Sequence, residues 1–397
     1  MNKLLKSKKY GSAIVLAVLA IVILAAMGLG LLSLGHNSRI SAVQGAFGIQ
    51  ARAAADAGLA KALYEMNEKL KVKPWSDLSL PSETDSAIQD SSETYSFAVT
   101  GNSSAGYSVE STGKSGGAQK KVVSSLPLQG PFDYSLFSNS YIWLASSTTV
   151  DQYNTDATTP NLTVGTNSKA SSSVSLFSNV QIDGDVVVGP SGDPSVAIWN
   201  HGTITGDTYA AAELQVLPSV TVPTALAALP SSGTLTDGNV TASAKYTKIA
   251  LGQSATVTIK GSVSLYVTGD ISLGQLAQII IDNNTPNSSL TIYLGGNLTS
   301  QNGSGINNLT QDPHKFKLFG LDTCTSIDFK NSSAFYGAVY APKAAVIYYN
   351  SADLYGSVIA KSFETKAAAN IHYDASLRNV TVNDEAVTFT IKKWHEE

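Results

Sequence analysis

Two histidines stand two positions from an aspartate: Asp312 with His314, and His372 with Asp374. Residues two apart on a strand share a face, so each pair offers an imidazole and a carboxylate to one metal ion. Zinc needs three or four converging ligands, and the spacing supplies no third at either place. Turn polarity accounts for both pairs more simply. The stretch Asp282-Asn283-Asn284-Thr285-Pro286-Asn287 has enough oxygen to wrap a calcium ion. It reads more simply as a turn whose Asx side chains bond their own backbone. Neither a Gly-rich phosphate loop nor a nucleophile elbow stands out. The expected metal set is empty, no cofactor is expected, and no catalytic residue is assigned.

The elements that would have to position such groups are written in the composition. Hydrophobic residues make up 43% of the 397 residues and charged residues only 14%, well under the usual quarter. Ser, Thr, Asn and Gly fill the difference, which favours β-structure with many turns. The only arginines are Arg39, Arg52 and Arg378, so the basic face that phosphate-backbone recognition requires is missing and nucleic acid is excluded as a partner. The lone Cys324 has no intramolecular partner and reads as a small buried apolar side chain.

The first seventy residues carry the strongest signal. Lys3, Lys6, Lys8 and Lys9 precede a run without charge from Ser12 to Gly35. Its apolar core, Ala13 to Leu34 and including Leu16 and Leu24, reaches the roughly 20 residues a bilayer-spanning helix needs. Lysines on the short N-terminal side keep that end cytoplasmic, so the rest is exported. Beyond the run, Val43, Phe47, Ala54, Gly58, Leu63, Met66 and Leu70 recur, with the exception of the five-residue step to Leu63, at steps of three and four or their sums, one stripe of a helix. Pro74 sets its latest end. A helix from Ile14 to Leu70 would be about 85 Å long.

The order Lys-Lys-Tyr-Gly11, then Ser12 opening the apolar run, resembles a prepilin leader. Gln50–Leu63, with Ala55, Asp56, Ala57, Gly58 and Leu59 at its centre, resembles the signature of the PilX-type N-terminal family of pilus assembly proteins. The resemblance covers about residues 8–66. It implies cleavage after Gly11 by a prepilin peptidase, a bacterial inner-membrane anchor, and other pilin-like subunits as partners. Major pilins carry a glutamate five residues after the cleaved glycine, and that carboxylate is thought to pair with a neighbouring subunit's amino terminus. Here the position is Leu16, which implies a minor or tip subunit rather than a shaft subunit. A plain signal anchor that is never cleaved is one alternative, and a cleaved secretory signal peptide, whose apolar run is typically shorter than this one, is the other.

Residues 74–93 are polar and turn-rich and read as linker. Three strands are expected at Tyr95–Thr100, Tyr107–Ser111 and Lys120–Leu126, with Gly-rich turns between them. A sheet this small needs a helix over one face, and the upper part of the anchor helix can supply it. Beyond Pro127 and Pro131, β-branched runs alternate with Gly, Asn, Asp and Ser. Two segments beginning at Asn331 and Asn350 align at an offset of 19. Tyr336 falls on Tyr355, Gly337 on Gly356, Val339 on Val358, Tyr340 on Ile359 and Ala341 on Ala360. Weaker echoes are Gly184-Asp185-Val186, Gly261-Ser262-Val263, Gly269-Asp270-Ile271 and Gly296-Asn297-Leu298. A period near 20 residues suits a coil of a β-solenoid, with aliphatic ladders inside and glycines at corners. The alternative is a β-sandwich. Phe335–Leu377 also resembles a β-solenoid domain found downstream of PilX-type anchors, which brings no activity with it.

Solenoid polygalacturonases show Asn-Thr-Asp, Asp-Asp, Gly-His-Gly and Arg-Ile-Lys. This chain has Asn154-Thr155-Asp156 and Asn200-His201-Gly202 but neither Asp-Asp nor Arg-Ile-Lys, and glycoside hydrolysis requires a carboxylate pair. The expected chain is therefore a non-enzyme. Its fold is mainly β with a long N-terminal helix: leader 1–11, helix 12–70, linker and small pilin-like sheet 71–130, solenoid 131–380, C-terminal strand or tail 381–397. The expected function is a minor pilin-like component displaying a β-solenoid outside the cytoplasm. A surface adhesin or carbohydrate-binding protein is the first alternative, with Tyr336, Tyr340, Tyr348, Tyr349 and Tyr355 stacking on surface glycans. A polysaccharide hydrolase or lyase is the second.

Overall fold

The computed structural model describes residues 12–156, 158–330, 333–349, 351–391 and 393–396. Two compact units emerge. The first draws on the described residues of Met1–Glu68, Ser76–Pro127 and Thr390–Glu397, and the second on Lys69–Trp75 and Leu128–Phe389.

The first unit is built on α1 (Ser12–Leu70). Ala51, Ala54, Ala55, Gly58, Leu59, Ala62 and Met66 are its buried face, the helical stripe that the sequence periodicity traces. Val43 is exposed and stands outside that face, because coverage of the helix begins around Phe47, and Leu63 is only half-buried, Leu59 and Ala62 taking that turn of the face. Against the stripe lies an antiparallel sheet of β1 (Ser82–Ala87), β2 (Thr94–Asn102), β3 (Gly106–Ser115) and β4 (Ala118–Leu126), closed by Lys393–Glu396 beside β4. β2, β3 and β4 fall on the three expected strands. β1 sits inside the stretch read as linker. It is an edge strand with no buried residue, so it needs no apolar alternation and leaves none in the sequence.

The second unit is a β-solenoid of parallel strands, not a sandwich. The aligned repeat is the physical register: Tyr336 pairs with Tyr355, Gly337 with Gly356, Val339 with Val358, Tyr340 with Ile359 and Ala341 with Ala360. Its starting residues Asn331 and Asn350 lie outside the described residues. Gly356 has φ +138°, and a Cβ there would stand 1.9 Å from the Gly337 carbonyl oxygen. The paired glycines are therefore required by close backbone stacking. Inside, Ile249, Ile271, Leu298, Ile327, Val346, Phe363, Ile142 and Val174 form one continuous ladder.

That ladder also gives the coil order, which is not the chain order. Leu136–Leu144 pairs with Leu354–Thr365 on one side and with Leu162–Thr166 and Val174–Leu176 on the other. The chain thus enters the middle of the stack, climbs to Thr208–Ala210 at one end, and restarts at Thr234–Leu235 at the other. The connector between them packs Leu217, Val220, Val222, Leu226 and Leu229 onto outward Tyr266, Tyr293, Phe319, Tyr340 and Phe137. The Tyr340 hydroxyl donates to the Pro218 carbonyl at 2.8 Å.

The glycine echoes mark corners. Asp270 Oδ1 accepts from the Asn297 N–H at 2.8 Å, and Asn297 Oδ1 accepts from the N–H groups of Thr325 and Ser326, both at 2.9 Å. Asp185 does the same for the N–H of Asp207 at 2.8 Å. Each side chain satisfies backbone donors of the following coil, which would otherwise lack partners where the strand ladder breaks.

Candidate functional site

The anchor comes first. Gly11 lies outside the described residues, Ser12 is the first residue of α1, and the backbone of Ala13 follows in the helix. Leu16, Leu24 and Leu34 are exposed, as are all described side chains from Ile14 to Leu34. This helix is long and apolar enough to cross a membrane. Leu16 adds only hydrocarbon there and has no charge to offer an amino terminus.

The signature residues build the crossing of α1 over the sheet. A Cβ on Gly58 would meet the Ser111 hydroxyl at 2.3 Å, and one on Gly113 would meet the Ala51 carbonyl at 2.0 Å. The Ser111 hydroxyl donates to the Ala55 carbonyl at 2.7 Å. Ala55 and Leu59 are buried, Ala57 is half-buried and Asp56 faces solvent. Asp56 accepts from Arg52 Nε at 3.2 Å; Arg52 also pairs with Glu396 and lies 4.4 Å over the Trp394 ring. Glu396 takes a second cation, Lys120, at 2.6 Å. The small residues thus have a packing role: backbone and sheet approach so closely that side chains beyond Cβ do not fit.

On the solenoid, His372 does not pair with Asp374. Its Nδ1 lies 2.6 Å from Asp151 Oδ1 on the adjacent coil. Asp374 is buried and caps the following turn, accepting from the Ser376 N–H at 3.0 Å and from Asn154 at 3.1 Å. The His372 ring stacks on Tyr355 at 4.5 Å, and Tyr355 on Tyr336 at 4.5 Å. Tyr153 meets Tyr355 edge-on at 6.0 Å, and burial, reinforced by Asp374, pushes its phenol upward. His314 Nδ1 does reach Asp312, at 3.1 Å, while that carboxylate caps its own turn through the His314 N–H. No group of three metal-binding side chains occurs among the described residues.

The glycosidase-like fragments serve as turns. Asp156 accepts from the Thr158 N–H and from the hydroxyls of Thr158 and Thr159, which hold its carboxyl below the usual range. Asn200 Oδ1 accepts from the Gly202 N–H at 2.8 Å. Asp282 accepts from the N–H groups of Asn284 and Thr285, as the Asx reading expects. Arg378 is spent on the carbonyls of Asp133, Pro160 and Asn161. Cys324 is buried, and burial pushes its thiol up to about 12.

The tyrosines expected as a stacking surface divide. Tyr340 and Tyr348 are buried, which takes them out of any surface. Tyr349 lies beside Lys330, whose Nζ is 4.7 Å from its ring. Tyr336 and Tyr355 spend faces on each other and on His372. Along a parallel stack the like side chains lie over one another, so their rings close on their neighbours. Exposed solenoid aromatics that the repeat did not flag include Trp143, Phe177, Trp199 and Tyr209.

Residues 231–380 match the model of a family described as a domain of unknown function (DUF7305). No curated protein matches the chain. Among solved structures, the competence-associated pilin ComZ from Thermus thermophilus is 12% identical over 88% of this chain and 97% of its own, with a TM-score of 0.23. An ice binding protein from an Antarctic bacterium, Flavobacteriaceae, is 9% identical over 61% of this chain and 96% of its own, with a TM-score of 0.24. A glycosylated ice-binding protein from an Arctic yeast is 13% identical over 61% and 90%, with a TM-score of 0.23. Identities and TM-scores this low say nothing of ligand or partner.

Proposed function

We propose that this chain is a minor, PilX-type pilin-like component, anchored in the bacterial inner membrane by α1 and displaying its β-solenoid outside the cytoplasm without catalysing a reaction. The observation that carries the reading is the division of one helix. From Ile14 to Leu34 every residue is uncovered and uncharged, and all but Ser33 lack a polar side chain, and from Ala51 to Met66 one stripe of small and apolar residues is buried against a sheet. A signal anchor needs only the first half; the second makes the helix part of a folded unit. Leu16 favours an accessory place over a shaft position. Prepilin peptidase and other pilin-like subunits are the partners this reading names.

N-terminal mass spectrometry of the protein extracted from membranes tests it. A mature chain starting at Ser12 is expected. An intact Met1 reduces the helix to a signal anchor, and a start beyond about residue 35 removes the anchor altogether.

A further inference from the structure

We propose that the outer face of the solenoid formed by Trp143, Ser175 and Trp199 is a binding platform for a neutral, β-linked glycan chain. The three residues stack in register on successive coils, Trp143 beside Ser175 and Ser175 beside Trp199. Trp143 and Trp199 remain 42% and 40% exposed, whereas the small Ser175 between them is only 5% exposed. A serine on an outward ladder is screened to that degree when the flanking indoles lie over it. Part of each indole is open to solvent. The Ser175 hydroxyl donates to the Ser172 carbonyl at 3.0 Å, so the floor between the rings is satisfied.

Neighbouring rings brace this arrangement. Tyr141 lies 5.3 Å from Trp143, while Phe177 and His201 meet Trp199 edge-on at 5.0 and 4.3 Å. These contacts fix the indoles and reduce the ordering cost of binding.

Charge and spacing choose the ligand. Residues 141–147, 172–182 and 196–206 contain no Asp, Glu, Lys or Arg. The adjacent Glu364, which pairs with Trp143, is held by Lys366. Lys366, the cation beside this face, is already paired with Glu364, so a phosphate backbone or an anionic lipid gains little charge here. The rim carries exposed hydroxyls and carboxamides (Ser146, Ser178, Asn179 and Asn200), which a purely apolar partner would leave dry and unpaired. A hexopyranose ring has an apolar C–H face with hydroxyls at its edge, the complement of this surface. Two strand steps set the indoles about 10 Å apart, close to the two-sugar repeat of an extended β-linked chain. Alternate rings can therefore stack on Trp143 and Trp199 together. On the tyrosine ladder, Tyr355 lies between Tyr336 and His372 and has no free face to offer.

The test is titration of the full-length protein in neutral detergent with cellohexaose and chitohexaose, read by calorimetry and tryptophan fluorescence. Saturable binding of at least one is expected. Trp143→Ala and Trp199→Ala should each weaken it about fivefold, since one stacked ring contributes about 1 kcal/mol, and the double variant should show none. Trp143→Phe and Trp199→Phe keep the fold and a ring face and should retain most of the affinity, which separates lost stacking from lost folding. Trp394→Phe, on the other unit, should change nothing. No saturable binding to either sugar, or binding that survives the double substitution, overturns the proposal. The outcome is independent of how the N-terminus is processed, because no step uses the anchor.

Discussion

Replacing Gly113 by alanine puts the helix-sheet crossing of the first unit to a direct test. A Cβ at this position would stand 2.0 Å from the Ala51 carbonyl oxygen, 2.3 Å from the Ala55 nitrogen and 2.8 Å from the Ala54 methyl. Two of the three obstacles are backbone of α1, which cannot swing aside as a side-chain end does. Either the helix moves off β3 or the strand bends, and over-packing of this kind costs about 1–3 kcal/mol. The upper end applies here, because separating the pair also opens the Ser111 to Ala55 hydrogen bond. Gly117 is the matched control: it lies in the same chain segment, and a Cβ there meets nothing within 4 Å. Hydrogen exchange of peptides from residues 94–126, in detergent, reads the local opening free energy. Gly113→Ala should raise their exchange about 100-fold, a factor of ten for every 1.4 kcal/mol, and Gly117→Ala should leave it within about twofold. Equal exchange in the two variants would show that α1 does not press on β3, and the packing role assigned to the signature would fall with it.

Three further outcomes follow from the second unit. Asn297→Ala should destabilise the solenoid by about 1–3 kcal/mol, because the Thr325 and Ser326 N–H groups lose their acceptor; Asn297→Asp, which keeps an oxygen there, should cost far less, as urea unfolding will show. Burial raises the Asp384 carboxyl, but Lys317, 3.0 Å away, and the Thr381 N–H more than reverse this, so its folded pKa lies below 3.8. The ionised group therefore adds stability that is present above pH 3.8 and lost as pH falls through the folded pKa; Lys317→Met should flatten the acid limb of a melting-temperature profile. With its thiol pushed up to about 12 by burial, Cys324 should resist iodoacetamide at pH 8 in the native protein and react on unfolding, as mass spectrometry of the alkylated peptide will report.

Features set by local rules were legible in the sequence. The apolar run and the stripe from Phe47 to Leu70 fix a helix, because the burial period is a property of one segment. β2, β3 and β4 announce themselves by alternation between Gly-rich turns. The 19-residue offset gave the true register at Tyr336 and Tyr355, because equivalent positions of stacked coils meet the same neighbours and come to hold like residues. β1 left no such trace: it is short and polar and lies at an edge of the sheet, where pairing is by backbone alone; of the strand Lys393–Glu396 only a C-terminal strand or tail over 381–397 was legible, not its place beside β4.

Local pattern settles what each segment is: a helix long and apolar enough to cross a membrane, a helix face of small residues, and a β-repeat with its glycines at corners. Only the tertiary structure decided which segments meet. Leu136–Leu144 stacks on Leu354–Thr365 although more than 200 residues separate them, and no local periodicity encodes that closure. The same long-range step gives His372 to Asp151 rather than to Asp374. The connector's packing hides Tyr340, while Trp143 and Trp199 are left beside Ser175 on open surface. Exposure depends on what covers a residue, and cover comes from distant chain.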